Sequence, residues 1–283
     1  MTQVVSTISL RVGVGKTTIS VGLAETLATL FRKRVLVIDL DPQSHATTML
    51  IGEKRWQELN GSGRTLATLF EGPLNGLAKR FDLGSVMQRG VSNVGIARTV
   101  DLLPSSLDLI GSQDRLATAP PIGREAGMPA NLLETALEYS LRDYDVVIVD
   151  CPQNFGVLTL NGLQISHGYI VPTTTDLMST YGIPQIVARI QEFSEATARP
   201  IELLGVVVTR YQGNSESHRK VLRKLRRAGN PPVFNTIVWH AERIAQSAEH
   251  LAYPRMLRQK YRDGHLADAF RDLSVEILGR LDG

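Results

Sequence analysis

The segment Gly13-Val14-Gly15-Lys16-Thr17-Thr18 sets two glycines, a lysine and two hydroxyls between an apolar run, Val4–Ile8, and a helical pattern. Those residue types in that order suit polyphosphate. Backbone N–H groups in a glycine turn and at a helix N-terminus converge on an anion. A lysine at the end of the turn reaches β- and γ-phosphates, and the hydroxyl after it suits Mg2+, a hard cation that takes oxygen ligands. Gly13, Val14, Gly15, Lys16, Thr17 and Thr18 are therefore read as a nucleotide-binding loop. The strict pattern for such loops wants a glycine six residues before the lysine. Leu10 stands there, so the loop is a variant.

Carboxylates recur at matching places. Asp39 and Asp41 end the run that begins at Val35, and Asp150 ends the run Val146–Val149. Moving a phosphoryl group to water requires the phosphates, a metal and the attacking water to be held in line. A single aspartate after a strand is commonly a helix or turn cap. Three of them beside a phosphate loop are harder to read that way.

The elements that must position these groups are legible as alternation. Strand-like runs at Val4–Ile8, Val35–Ile38, Val146–Val149, Gly168–Val171, Leu203–Val208 and Asn235–Val238 are separated by amphipathic helical patterns. This predicts an α/β fold: a mostly parallel, twisted sheet with helices on both faces. Ligands in such sheets bind at the carboxyl ends of the strands. Thr17, Asp39, Asp41 and Asp150 lie at or just after such ends, so they are expected to share one crevice. Residues 52 to 129 are the least legible stretch, with glycines and prolines that predict loops and short helices.

Arg11-Val12-Gly13-Val14-Gly15-Lys16-Thr17-Thr18 resembles the deviant Walker A loop of the ParA/MinD superfamily of P-loop ATPases, which normally reads Lys-Gly-Gly-Val-Gly-Lys-Thr-Thr. Val35-Leu36-Val37-Ile38-Asp39-Leu40-Asp41-Pro42-Gln43 is similar to the second strand and switch of ParA-type partition proteins. The run from Asp145 through Asp150-Cys151-Pro152 is similar to their Walker B strand, and Leu158 to Leu163 to the helix after it. Weaker echoes at Leu102–Ser106 and Gly205–Thr209 extend the resemblance over nearly the whole chain, expected to form one ATPase domain, 1–283.

The resemblance implies ATP and Mg2+ as cofactors and hydrolysis of ATP to ADP and phosphate. It makes Lys16 the principal phosphate cation, Thr17 the direct metal ligand and Asp150 the Walker B carboxylate. Asp39 becomes a second carboxylate near the metal, and Asp41 the residue that positions the hydrolytic water. It further implies a homodimer that sandwiches two nucleotides, non-specific DNA binding, and a ParB-like or adaptor protein that stimulates turnover. A cytoplasmic, nucleoid-associated ATPase that positions a plasmid, chromosome region or protein cargo is the resulting expectation.

Two positions depart from the family. Arg11 replaces the signature lysine that crosses to the partner's nucleotide; it keeps the charge but presents a larger planar head. Val12 replaces a glycine, a residue that permits positive φ and close approach, with a stiff β-branched side chain. The expectation is that phosphate binding survives while dimerisation or hydrolysis is impaired. Two other readings stay open: a slightly wider loop with full activity, and an ATP-binding scaffold with little turnover.

Composition sets the remaining bounds. The net charge of +3 from 31 basic and 28 acidic residues implies no partner, but its distribution does. Arg219, Lys220, Arg223, Lys224, Arg226 and Arg227 form a cluster free of acids, and Arg243 matches a DNA-binding arginine of the family. Binding of this kind is electrostatic and salt-dependent. The single cysteine, Cys151, fits a reducing compartment and a buried structural thiol, and excludes the paired cluster cysteines of nitrogenase iron proteins. Cleavage of a leader would remove the loop, so none is expected. Leu266, Phe270, Leu273, Ile277 and Leu281 have helical spacing. A MinD-like membrane anchor is the alternative there, disfavoured by the acidic polar face, since membrane-surface helices favour Lys and Arg. A terminal helix packed on the sheet is expected, and no membrane partner.

Overall fold

The computed structural model describes residues 1–72, 81–118, 131–239, 256–261 and 264–282. Its strands are β1 (Gln3–Thr7), β2 (Val35–Asp39), β3 (Val100–Leu103), β4 (Val146–Asp150), β5 (Gly168–Thr174), β6 (Glu202–Tyr211) and β7 (Val233–Trp239). They form one parallel sheet in the order β3-β2-β4-β1-β5-β6-β7. Between them run α1 (Lys16–Leu30), α2 (His45–Ile51), α3 (Glu53–Gly61), α4 (Ala67–Glu71), α5 (Leu83–Val86), α6 (Leu109–Thr118), α7 (Leu132–Leu137), α8 (Val157–Gln164), α9 (Leu177–Thr197) and α10 (Glu216–Ala228). A short helix, Leu257–Lys260, and a C-terminal helix, Gly264–Leu281, complete the described elements.

Helices on both faces explain why the central strands read as unbroken apolar runs. Side chains alternate across a strand. Val4, Leu36, Ile38, Val147 and Val149 enter one core with Leu158 of α8 and Ile186 of α9. Val5, Val35, Val37, Val146 and Ile148 enter the other with Leu23 of α1 and Phe270 of the C-terminal helix.

The C-terminal helix packs on the sheet as expected, with Leu266, Phe270, Leu273 and Ile277 buried. Gly22 of α1 makes the contact close: a methyl group at that position would collide with the Phe270 ring. Among the described residues no helix is long and apolar enough to cross a membrane.

One strand, β3, falls in the stretch that was least legible. It has only four residues at the sheet edge, and Asp101 interrupts its apolar run. That carboxylate is nearly buried and satisfied, accepting from the Gly90 amide at 2.9 Å and the Tyr144 hydroxyl at 2.7 Å.

A polar anchor ties the chain's end to α1. Glu25 is fully buried and accepts from Lys260 Nζ at 2.6 Å, Tyr261 Oη at 2.8 Å and Ser92 Oγ at 2.7 Å. Burial of a charge is tolerable only with partners of this kind.

Candidate functional site

Strand register places the site. Thr7 of β1 pairs with Asp150 of β4, and Asp150 with Asp39 of β2, so three strand ends reach one level. From β1 the chain moves to β2 beyond β4, and from β4 it returns across β1 to β5. The sheet therefore reverses direction around β1 and β4, where parallel α/β sheets open a crevice.

The loop that fills this crevice needs two left-handed residues, Gly13 (φ 78°) and Gly15 (φ 79°). Gly15 is also the N-cap of α1, so the amides that follow it lie at the helix's positive end. From outside the loop, Thr209 Oγ1 donates to the Val14 carbonyl at 2.7 Å and Arg210 Nη1 to the Gly13 carbonyl at 2.8 Å. With these two carbonyls occupied by β6, the loop conformation is set before any phosphate arrives.

Lys16 is buried between two carboxylates, with Nζ 3.1 Å from Asp41 Oδ2 and 3.1 Å from Asp150 Oδ1. Burial works against its ammonium, but the charges of Asp150, Asp41 and Asp39 hold its pKa above the ordinary lysine range. Asp150 also accepts from Thr17 Oγ1 at 2.8 Å and Ser20 Oγ at 2.8 Å. The structure thus brings Lys16, Thr17, Asp41 and Asp150 into direct contact.

Asp39 lies in the same buried cluster and is occupied differently. One oxygen accepts from the Asp41 amide at 3.1 Å; the other accepts from the Thr47 amide at 2.8 Å and Thr47 Oγ1 at 2.7 Å. Burial, then the nearby charge of Asp150, pushes its carboxyl upward. Its bonds hold the turn that carries Asp41. Ser105 completes this turn, its hydroxyl donating to the Asp41 carbonyl at 2.7 Å and its amide to Thr47 Oγ1 at 3.0 Å.

Cys151, next to Asp150, is fully buried, and burial pushes its thiol up to about 12. It remains a thiol at neutral pH, as a packing residue should.

Arg11 and Val12 lie at the rim. Arg11 Nη1 bonds the Asp176 carboxylate and Ser179 Oγ, the latter at 2.8 Å. Asp176 caps α9 by accepting from the Ser179 amide at 2.9 Å. Val12 is 78% exposed, and its backbone is outside the left-handed region. Loss of the family's glycine therefore introduces no backbone strain here; what it adds is a projecting side chain. A cavity of about 310 Å3 lies between this rim, Thr174 of β5 and Arg210.

The basic cluster falls on α10, and all six of its Lys and Arg side chains are exposed. The helix starts on Ser215, whose hydroxyl accepts from the His218 amide, and stops at Gly229 in a left-handed cap. Glu216 in the first turn and Arg226 and Arg227 in the last match the helix dipole. Only Leu222 is buried, so the cationic face is free of the core. Arg243 lies outside the described residues.

Sequence reasoning passed over Ser20, Thr47, Thr209, Arg210 and Asp176. Ser20 had a signal, one helical turn beyond Lys16. Asp176 had another, as a cap three residues before Ser179. Thr47 bonds Asp39 across a turn, and Thr209 and Arg210 act through pairings distant in the chain that no local pattern records.

A family profile described as an AAA domain matches residues 2–203. The chromosome-partitioning ATPase Soj of Thermus thermophilus is 32% identical over 272 residues, covering 95% of this chain and 92% of the relative. Cobyrinic acid a,c-diamide synthase of Mycobacterium smegmatis, solved with ADP and magnesium, superposes with a TM-score of 0.76 at 26% identity, covering 100% of this chain and 96% of that one. Apo McdA of Cyanothece gives 0.77 at 21% identity, covering 99% and 100%, a likeness of fold.

Proposed function

The chain belongs to the ParA/MinD superfamily of deviant-loop P-loop ATPases, and on that premise we propose that it binds ATP with Mg2+, closes as a nucleotide-sandwich dimer and holds DNA without sequence preference. The observation that carries this reading is Lys16 buried between Asp41 and Asp150. Two carboxylates against one ammonium, with Asp39 close by, leave the crevice with excess negative charge, which suits a divalent cation arriving with its nucleotide. Among the described residues no group of three His, Cys, Asp or Glu side chains is arranged to hold a metal alone. Mg2+ is commonly bound by one or two carboxylates together with substrate phosphates and water.

Gly13 to Thr18 and Lys16 would hold the phosphates, and Thr17 and Asp150 the metal. Asp41 would position the attacking water, and Asp39, whose oxygens already accept from the Asp41–Thr47 turn, would keep Asp41 in place. Mg2+, once bound, supplies charge stabilisation at the transferring phosphoryl group. Arg11 would serve the partner's nucleotide after leaving Asp176. The α10 cations would contact DNA phosphates, and a ParB-like or adaptor protein would time hydrolysis and release. Positioning of a plasmid, chromosome region or protein cargo is the outcome of that cycle.

Light scattering and retention on unrelated duplex DNA, each with and without ATP and Mg2+, test the reading. Dimer mass and DNA retention should both require ATP, and Arg223→Glu should weaken retention while leaving the dimer. A monomer at saturating ATP, with phosphate release near background, would instead favour the scaffold reading that the Arg11–Asp176 contact motivates.

A further inference from the structure

At the carboxyl end of edge strand β7, Trp239 is 50% exposed. It stands edge-on to Tyr211 at the end of β6, with ring centroids 5.1 Å apart and planes at 72°. His218 of α10 is tilted against the same Tyr211 ring at 6.1 Å. Gly213 makes the corner possible, because a methyl group there would meet the Trp239 ring at 2.8 Å.

The corner is joined to the cationic helix at both ends. Arg219 Nη1 donates to the carbonyl of the same Gly213 at 2.7 Å, and Arg226 Nη2 to the Asn235 carbonyl of β7 at 2.9 Å. None of the six Lys and Arg side chains of α10 has an acidic partner among the described residues. A rigid, half-exposed indole thus stands at one end of an unneutralised cationic track. Cations that follow a phosphate backbone, with an aromatic face for a base, are the components of single-strand recognition.

We infer that the Tyr211–Trp239 corner stacks on an unpaired base of a nucleic acid strand whose phosphates lie along α10. The inference rests on the DNA reading of α10 and adds a preference to it: unpaired over fully paired DNA at equal charge. In a duplex the bases are stacked on one another, and Trp239 has no free face to meet.

The test uses the full chain with labelled oligo-dT of about 20 nucleotides and a duplex of about 10 base pairs, which carry nearly the same phosphate charge. Trp239→Ala should weaken oligo-dT binding about tenfold, or about 1.4 kcal/mol, and leave duplex binding unchanged. Trp239→Phe should keep most of the affinity yet abolish the quenching of tryptophan fluorescence that oligo-dT causes in the unaltered protein. Equal oligo-dT affinity for the unaltered protein and Trp239→Ala would overturn the inference. So would quenching of Trp239 by ATP with Mg2+ that oligo-dT does not increase, which would give the corner to the nucleotide's own base. Arg223→Glu separates the layers. No loss of either DNA would remove the α10 reading and this inference together, whereas loss there beside an unaffected Trp239→Ala removes the inference alone.

Discussion

The Arg11 guanidinium bonds the carboxylate of Asp176, so the cation expected to serve a partner's nucleotide is held within its own subunit. Partial burial opposes ionisation of Asp176. Hydrogen bonds from Thr174, Ser179 and Arg11 override it and hold the carboxyl well below the usual carboxylate range. The charge that retains Arg11 therefore persists throughout the neutral range.

Asp176→Asn removes that charge while keeping a side chain that caps helices well. An exposed pair of this kind is worth up to about 1 kcal/mol. With one such contact released in each of two subunits, the dimer constant in ATP should tighten by up to about thirtyfold, read by sedimentation at several concentrations. A weaker dimer would mean that the contact supports the assembled state.

Val12→Gly removes a side chain that touches solvent in the monomer. Stability should fall by no more than about 1 kcal/mol, the entropy glycine adds to the unfolded chain, because Val12 is neither buried nor strained. Dimerisation and turnover in ATP should rise several-fold if its bulk opposes close approach. Identical dimer constants and rates would show that the loop accommodates it.

Lys260→Met leaves Glu25 charged and buried with its strongest partner gone. Breaking a buried pair from one side costs about 3–5 kcal/mol. Urea unfolding should show a loss of that size, and Glu25→Leu combined with Lys260→Met should recover much of it, since the pair's desolvation is removed as well. ATP affinity should barely change in the folded fraction, because Glu25 lies about 13 Å along α1 from Lys16.

His167 gives a pH dependence. Its Nδ1 accepts from the Val4 amide at 3.0 Å, which only the neutral ring can do, and burial lowers its pKa. The unfolded chain then takes up the proton first as pH falls. The His167 contribution is complete above about pH 6.5 and is lost as pH falls toward its folded value. Replacement by Gln should flatten the stability profile in that window, measured by denaturant midpoints from pH 7.5 to pH 5.

What the sequence disclosed follows from the range of the forces involved. Lys16, Thr17 and Asp150 were legible because strand ends and a glycine turn leave local patterns. The C-terminal helix was legible because Leu266 through Ile277 repeat at helical spacing. β3 was not, because buried Asp101 disguises an apolar strand. The hydrogen bonds of Asp39 were not either, since its partner Thr47 lies eight residues away across a turn. Arg210 gave no sign, because its contact with Gly13 spans 197 residues.

Three consecutive residues of β6 face two tasks. Thr209 and Arg210 hold the loop carbonyls, and Tyr211 supports Trp239 beside the cationic helix. The nucleotide loop and the proposed nucleic-acid face are thus joined by adjacent peptide units rather than by a long chain of contacts. Linkage makes such a joint reciprocal. Whatever factor ATP contributes to the grip on DNA, DNA must return in the grip on ATP. If ATP tightens that grip, a DNA-bound subunit would hold its nucleotide with higher affinity than a free one, and the strand end would act as a memory of where the protein has docked.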